Sequence, residues 1–372
     1  MISFEVLDGR EQIKQYYPQW DQLFASRNYE SSLSVAWTDA LLTSHLEGCS
    51  LWLIVLRDST GIAGLVPLYV KTITKSRISL LTLLPVSEHF NTHSDLLLKD
   101  PSYELTAAFL KAVFSLKVKW DVFRMNRFVE GQPLLGSLEC ALKGGIGYKY
   151  NVDMADPSFF ITLGRSYDNY LNTRSGKFRY KLKHAKHKLD STGDLLFVRD
   201  HDCQDFDRVF ESILTVEEAS WKHKNGTAIS STEKQRRFYK ELCGREFKEK
   251  RLRFWLLCVN HTPIAYEMGL VNHKKYYSVH GSYNEECKKE NPGSVLLARV
   301  IEDLIENGIE ELDFFGEPFE WQRYWTDNMR WHRSVVIYNH TVKARVFYMF
   351  NRLKSKVKVS KGGALVLRQP CR

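Results

Sequence analysis

The sequence predicts an α/β (α+β) fold of two tandem units, each a mixed central sheet flanked by helices. Three observations carry this. Residues 276–315 read as strand, loop, helix, strand. The segments LWLIVLRDSTGIAGLVPL (51–68) and RFWLLCVNHTPIAYEMGL (253–270) share one hairpin layout, down to an Ile-Ala after each turn. The helix–strand pair 102–125 is mirrored by 294–315. A chain of 372 residues is also longer than one core usually serves.

Taken in order, 10–26 and 34–47 read as helices, with Trp20, Leu23, Phe24, Trp37, Leu41 and Leu42 as core candidates. Strands 51–56 and 62–70 form a hairpin about Asp58-Ser59-Thr60-Gly61, and Pro67 places its site at a sheet edge or strand end. Strands at 78–84 and 94–98, an amphipathic helix at 102–117 and a strand at 120–125 complete the first unit. Gly131, Pro133, Gly136, Gly144, Gly145, Gly147 and Pro157 put the inter-domain connection in 130–157. The expected division is 1–150, 151–350 and a basic tail, 351–372. The second unit holds a strand at 159–163, a basic helix from about 167, a helix at 203–220 and strands at 252–259 and 264–271. The strand 276–283 follows, then the turn Asn291-Pro292-Gly293-Ser294, a helix at 294–306 and a strand at 309–315.

Composition narrows the partners. Hydrophobic residues are 44% and charged residues 26%, as in globular proteins, and no apolar run is long enough to span a membrane. The start MISFEVLDGREQ lacks the features of a secretory signal, and the seven scattered cysteines include no C-x-x-C pair. A cytoplasmic protein without a disulfide framework or metal is therefore expected. The net charge of +9 favours an anionic ligand or surface. Much of it lies in 174–188, RSGKFRYKLKHAKHK, and in 352–361, RLKSKVKVSK. In the former, Phe178, Leu182, Ala185 and Leu189 form one apolar stripe, and acidic partners are absent until Asp190. A charged helix face is usually just solvated; this one is equally suited to an anionic ligand.

Four places carry a family resemblance: GIAGLVPL at 61–68 followed by Ser94-Asp95-Leu96-Leu97, the basic run Lys177 to Lys183, Pro292-Gly293-Ser294-Val295-Leu296-Leu297, and Leu312-Asp313-Phe314-Phe315-Gly316-Glu317 leading to Trp325. In this order they resemble tandem acyltransferases of the GNAT superfamily, and more narrowly the CelD-like proteins found with cellulose and exopolysaccharide genes, relatives of the FemABX peptidyltransferases. The chain departs where the family has Tyr-Lys: Trp321-Gln322 stands there. It also lacks the Gly-x-Gly/Ala pyrophosphate loop of typical GNAT enzymes.

The resemblance implies a donor arm along strand 276–283, with Val279 and Gly281, and donor phosphates at the helix start formed by Pro292, Gly293, Ser294 and Val295. A helix start suits an anion through its unpaired N–H groups and dipole, although Asn-Pro-Gly-Ser alone also reads as an ordinary capped turn. His280, with an ordinary pKa near neutral, is a candidate base, against the alternative of a packed histidine. Asp313 either orients the reacting groups or is a structural carboxylate. Glu317 follows it on the cleft wall, and Tyr324 is a candidate acid for the leaving thiolate or a rim residue. Glu267 on the hairpin strand either binds the acceptor amine or lies on the solvated face of its strand, and Arg179 and Lys183 on the basic helix are candidates for an anionic part of a ligand.

The expected activity is N-acyl transfer from acetyl-CoA or another acyl-CoA, or from an acyl-carrier protein, to a small-molecule amine. The family suggests an amino-sugar precursor in envelope or exopolysaccharide assembly. The alternatives are FemABX-like transfer from charged tRNA and a non-catalytic scaffold of a polysaccharide-synthesis complex. A nucleic-acid partner is not part of the leading expectation; the basic tail reads most simply as a solvated end, with peripheral membrane contact as the alternative.

Overall fold

The structure is a computed structural model and describes residues 2–75, 77–90, 92–144 and 147–359. Gly145, Cys371 and the tail beyond 359 lie outside the described residues. The first half runs β1 (Ser3–Asp8), α1 (Arg10–Gln15), α2 (Tyr17–Ala25), α3 (Val35–Thr43), β2 (Leu51–Asp58), β3 (Gly61–Lys75), β4 (Ile78–Pro85), α4 (Tyr103–Ser115), β5 (Val122–Val129), α5 (Pro133–Lys143) and β6 (Lys149–Thr162). The second runs α6 (Tyr167–Asn172), α7 (Gly176–Asp190), β7 (Leu195–Arg199), α8 (Phe206–Glu218), α9 (Trp221–Lys224), α10 (Glu233–Lys248), β8 (Leu252–Val259), β9 (Thr262–Asn272), β10 (Lys275–Tyr283), α11 (Pro292–Glu306), β11 (Glu311–Asp313), β12 (Met329–Tyr338) and α12 (Val342–Val359).

The strands form one mixed sheet, ordered β1-β2-β3-β4-β5-β12-β6-β11-β10-β9-β8-β7. The two hairpins predicted from their matching sequences are β2–β3 and β8–β9, and they lie on opposite wings of the sheet. The wings meet through β12, which crosses from the C-terminal end to pair with β5 on one side and β6 on the other. On one sheet face, α2 and α3 share a continuous apolar core with α8 and α10, joining Trp37 to Phe238, Tyr277 and Phe315. On the other face the cores are separate: α4 and α5 cover the first wing, α7 and α11 the second.

Several sequence expectations change. Residues 130–157 are not a linker: Pro133 opens α5 at its first turn, where its missing N–H costs nothing, and 149–162 is one long strand. The position 150/151 therefore falls inside β6. The predicted strand at 94–98 is irregular chain with a single bridge, Gly64 to Leu98. Pro67 pairs with Leu53 just beyond the β3–β4 ladder, which starts at Leu68, so it marks the end of one ladder on an interior strand. The segment read as tail from 351 continues α12 to Val359. No helix among the described residues is long and apolar enough to cross a membrane.

Candidate active site

The site lies where two parallel strands part. β10 and β11 pair only at Lys275–Glu311, Tyr276–Leu312 and Tyr277–Asp313. β10 continues to Tyr283 against β9, with a bulge between Ser278 and His280. Its other edge, beyond Tyr277, pairs with no described strand. Main-chain N–H and C=O groups on such an edge can pair with an extended ligand, and a bulge re-aims side chains beside it. The chain then leads to α11, whose N-cap Asn291 is left-handed (φ 54°) and whose first residue is Pro292. Ser294 and Val295 return their N–H groups to the Asn291 carbonyl, and Ser294 Oγ donates to Asn291 Oδ1 at 3.0 Å. A side chain on Gly293 would press on Tyr283, with a Cβ 3.2 Å from the ring. The end of β10 and the start of α11 are thus adjacent at Tyr283 and Gly293; Val279 and Gly281 lie on the β10 stretch that leads there.

His280 faces the α8–α10 side of the sheet and is nearly buried. Its Nδ1 lies 2.5 Å from Tyr266 Oη, and Tyr266 donates to Glu217 Oε1 at 2.6 Å. Glu217 is fully buried, and its Oε2 accepts from Ile229 N–H at 2.8 Å. Tyr239 packs edge-on to the imidazole at 5.1 Å between ring centres. Lys222 Nζ sits 3.4 Å from both ring nitrogens. Burial, then the Lys222 charge, push the His280 pKa well below its ordinary value, against a weaker pull from the Thr227 carbonyl. Burial also lowers Lys222, while Glu217 and Glu267 oppose that shift.

Glu267 is on the opposite sheet face, accepting from Ser278 Oγ at 2.5 Å and Tyr276 Oη at 3.1 Å. Burial pushes its pKa up to about 7, restrained by those two donors and Lys222. It therefore titrates near neutrality, beside the bulge, but does not touch His280.

Asp313 is placed elsewhere in chemical terms. It is fully buried at the junction of the wings, with Oδ2 3.0 Å from Lys275 Nζ, 2.8 Å from Arg330 Nη1 and 3.7 Å from His93 Nδ1. Its Oδ1 accepts from Phe315 N–H at 2.8 Å. Burial would raise its pKa, but Lys275, His93 and Arg330 hold it well below the carboxylate range. Glu30 and Glu311 complete this ion cluster. No hydrogen bond links Asp313 to His280 among the described residues. Glu317 is half-buried near Arg127, whereas Tyr324 is 61% exposed on the rim. Arg179 and Lys183 lie on the exposed face of α7, away from the His280 network, and Arg179 donates to Asn172 Oδ1 at 2.7 Å. The far end of α7 does reach the α11 approach: Lys188 pairs with Glu290 at 3.0 Å.

The sequence reading missed Glu217, Lys222 and Tyr266. Glu217 had a usable signal, because it continues the buried period of Phe210, Ile213 and Leu214 on α8. Tyr266 and Lys222 had none, since their meeting with His280 is tertiary. No group of three His, Cys, Asp or Glu among the described residues is placed to hold a metal.

A mixed sheet with strands parting beside a helix start, in two wings, is a GNAT/FemABX-like fold. Residues 176–323 match the family described as an acetyltransferase (GNAT) domain, a class of acyltransferases, and this stretch contains the parted strands, His280 and the α11 start. No curated protein matches by sequence. Among solved structures, FemX aligns with a TM-score of 0.63 and 10% identity, over 93% of this chain and 99% of its own. The C-terminal domain of a putative lysylphosphatidylglycerol synthetase from Agrobacterium fabrum aligns with a TM-score of 0.55 and 10% identity, over 96% and 100%. A conserved protein of unknown function from Bacteroides thetaiotaomicron gives 0.55 and 15%, over 91% and 100%. At such identities the likeness is one of fold.

Proposed function

We propose that the protein is an N-acyltransferase that moves an acyl group from a thioester, acyl-CoA or an acyl-carrier protein, to an amine. The C-terminal wing carries the chemistry and the N-terminal wing helps hold the acceptor. The observation that supports this most is the open edge of β10 beyond Tyr277, with a bulge beside nearly buried His280 and the Gly293 turn at its end. The donor arm pairs with that edge, and its phosphates meet the α11 start. Burial and the neighbouring Lys222 favour the neutral, proton-accepting form of His280, which removes the amine proton as the new C–N bond forms. Lys222 offers a positive charge for the developing oxyanion. Asp313 serves as a structural support for the β11 end rather than a base. An amino-sugar precursor as the acceptor rests on the CelD-like resemblance alone.

A second reading has its own observation. Lys177, Lys181 and Lys183 project from an exposed face of α7, a surface suited to a polyanion such as charged tRNA. Thermal shift with acetyl-CoA, longer acyl-CoAs and charged tRNA separates the two. Stabilisation by a CoA thioester, lost in Gly293→Glu, supports the first reading. No response to any thioester, free or carrier-bound, together with stabilisation by charged tRNA, replaces it with the second.

A further inference from the structure

Tyr266 and Glu217 do more than pack against His280. Glu217 has both carboxylate oxygens engaged, Oε2 by Ile229 N–H and Oε1 by the Tyr266 hydroxyl. A carboxylate only accepts, so Tyr266 spends its single proton on Glu217. The Tyr266 oxygen, 2.5 Å from Nδ1, can then only accept from the imidazole. That assigns the His280 proton to Nδ1 and leaves the lone pair on Nε2. Lys222 does not occupy that lone pair. Its equal 3.4 Å distances place Nζ on the plane bisecting the ring between the two nitrogens, off the axis of either.

We infer that Glu217 and Tyr266 are positioning residues that hold His280 as the Nδ1–H tautomer and present Nε2 as the proton acceptor for the amine. This rests on the acyl-transfer reading for its use, but not for its geometry. In the step, the amine nitrogen bonds to the thioester carbonyl carbon and its proton passes to Nε2. The carbon–sulfur bond then breaks and the thiolate leaves with the electron pair. The imidazolium so formed lies beside Lys222 in a buried site. The same chain discharges it: the Nδ1 proton moves to the Tyr266 oxygen as the Tyr266 proton moves to Glu217. The groups facing His280 are Glu217 from α8, Lys222 from α9, Tyr239 from α10, Tyr266 from β9 and the Thr227 carbonyl. Glu217 is the one carboxylate among them.

The test is nitrogen NMR of protein labelled at its 12 histidines, with His280→Gln assigning the His280 signals. The expected result is an Nδ1–H tautomer in the wild type and loss of that preference in Tyr266→Phe. An Nε2–H tautomer at His280 in the wild type overturns the assignment, whether or not Tyr266→Phe folds. This readout needs no turnover, so it stands apart from the acyl-transfer reading. With an active donor, Tyr266→Phe and Glu217→Gln should each lower kcat by roughly 10- to 100-fold with donor KM unchanged. Unchanged kcat in both overturns the positioning role.

Discussion

Glu267 lies across Gly281: a Cβ built on Gly281 would come 2.1 Å from Glu267 Oε2, and the two residues face each other across the β9–β10 ladder. The glycine is what lets a carboxylate sit flat against the strand beside the bulge. Gly281→Ala would swing the carboxylate off Ser278 and Tyr276, because its nearest obstacle is the end of a flexible side chain. Gly269 on the same strand as Glu267 differs, since its Cβ would meet the Tyr277 carbonyl at 2.0 Å. Gly281→Ala should lose about 1 kcal/mol of stability or less, and Gly269→Ala about 3 kcal/mol. Urea unfolding of the two variants checks this; equal losses would refute the distinction.

The ion cluster at the junction predicts that Asp313 is a stability residue. Asp313→Asn leaves Lys275 and Arg330 without their shared buried carboxylate oxygen. Removing one partner of a buried ion pair costs about 3–5 kcal/mol where a charge is left uncompensated. Here Glu30 and Glu311 still face Lys275, and Glu311 still faces Arg330, so the loss should be about 3 kcal/mol or less. Lys275→Met added to Asp313→Asn should deepen the loss, because Glu30 and Glu311 then lose their lysine partner. Chemical denaturation of the single and double variants measures it. A single variant as stable as the wild type, but with turnover abolished, would return Asp313 to the chemistry.

Local signals in the sequence reached the hairpins, α4, α11 and the turn before it, because each rests on short-range periodicity or turn residues. The stretch expected to connect the two units holds a helix and a strand, because Gly and Pro punctuate helices as well as linkers; Pro133 and Gly136 both sit in α5. β12 escaped notice because Met329 to Tyr338 gains its strand character from insertion between β5 and β6, 170 or more residues away in the chain order of its partners' register, as in Met329 with Phe159. For the site, His280 and Glu267 were legible as titratable groups on strands. That they face opposite sides of the sheet follows from the bulge after Ser278, which no period-two count contains. The partners of Asp313 come from β10, β12 and the 92–95 loop, and sequence spacing carries no record of them.

Three buried acids predict a pH slope in stability. Burial pushes Glu88 up to about 8, against the Asn126 N–H and Arg124, and raises Asp95 and Glu267 to about 7. A carboxyl whose folded pKa is raised binds its proton more tightly in the native state. Its effect is therefore a loss of stability as pH rises from the unfolded value, near 4.5 for Glu88, to the folded one. Glu88→Gln keeps an acceptor for Asn126 N–H, which now meets Glu88 Oε1 at 2.9 Å. Thermal unfolding should show the variant matched to the wild type, or slightly below it, at pH 4, and more stable at pH 8.5. A constant difference across that range would rule out Glu88 as a source of the slope.

The exposed face of α7 separates packing from binding. Leu182 and Leu189 are buried against the second wing's core, and Phe178 meets Trp325 edge-on at 5.0 Å between ring centres. Lys177 and Lys181 point to solvent. Leu182→Ala should cost about 2–4 kcal/mol of stability, whereas Lys177→Gln with Lys181→Gln should stay within about 0.5 kcal/mol. Under the thioester reading, the lysine variant keeps its turnover with acetyl-CoA within about twofold. If α7 instead carries charged tRNA, each lysine that touches a phosphate lowers the slope of log affinity against log salt by about 1. Binding titrations at several salt concentrations decide this: a slope the same as wild type removes these two lysines from any nucleic-acid contact, and a shallower one with acetyl-CoA turnover absent favours the tRNA donor.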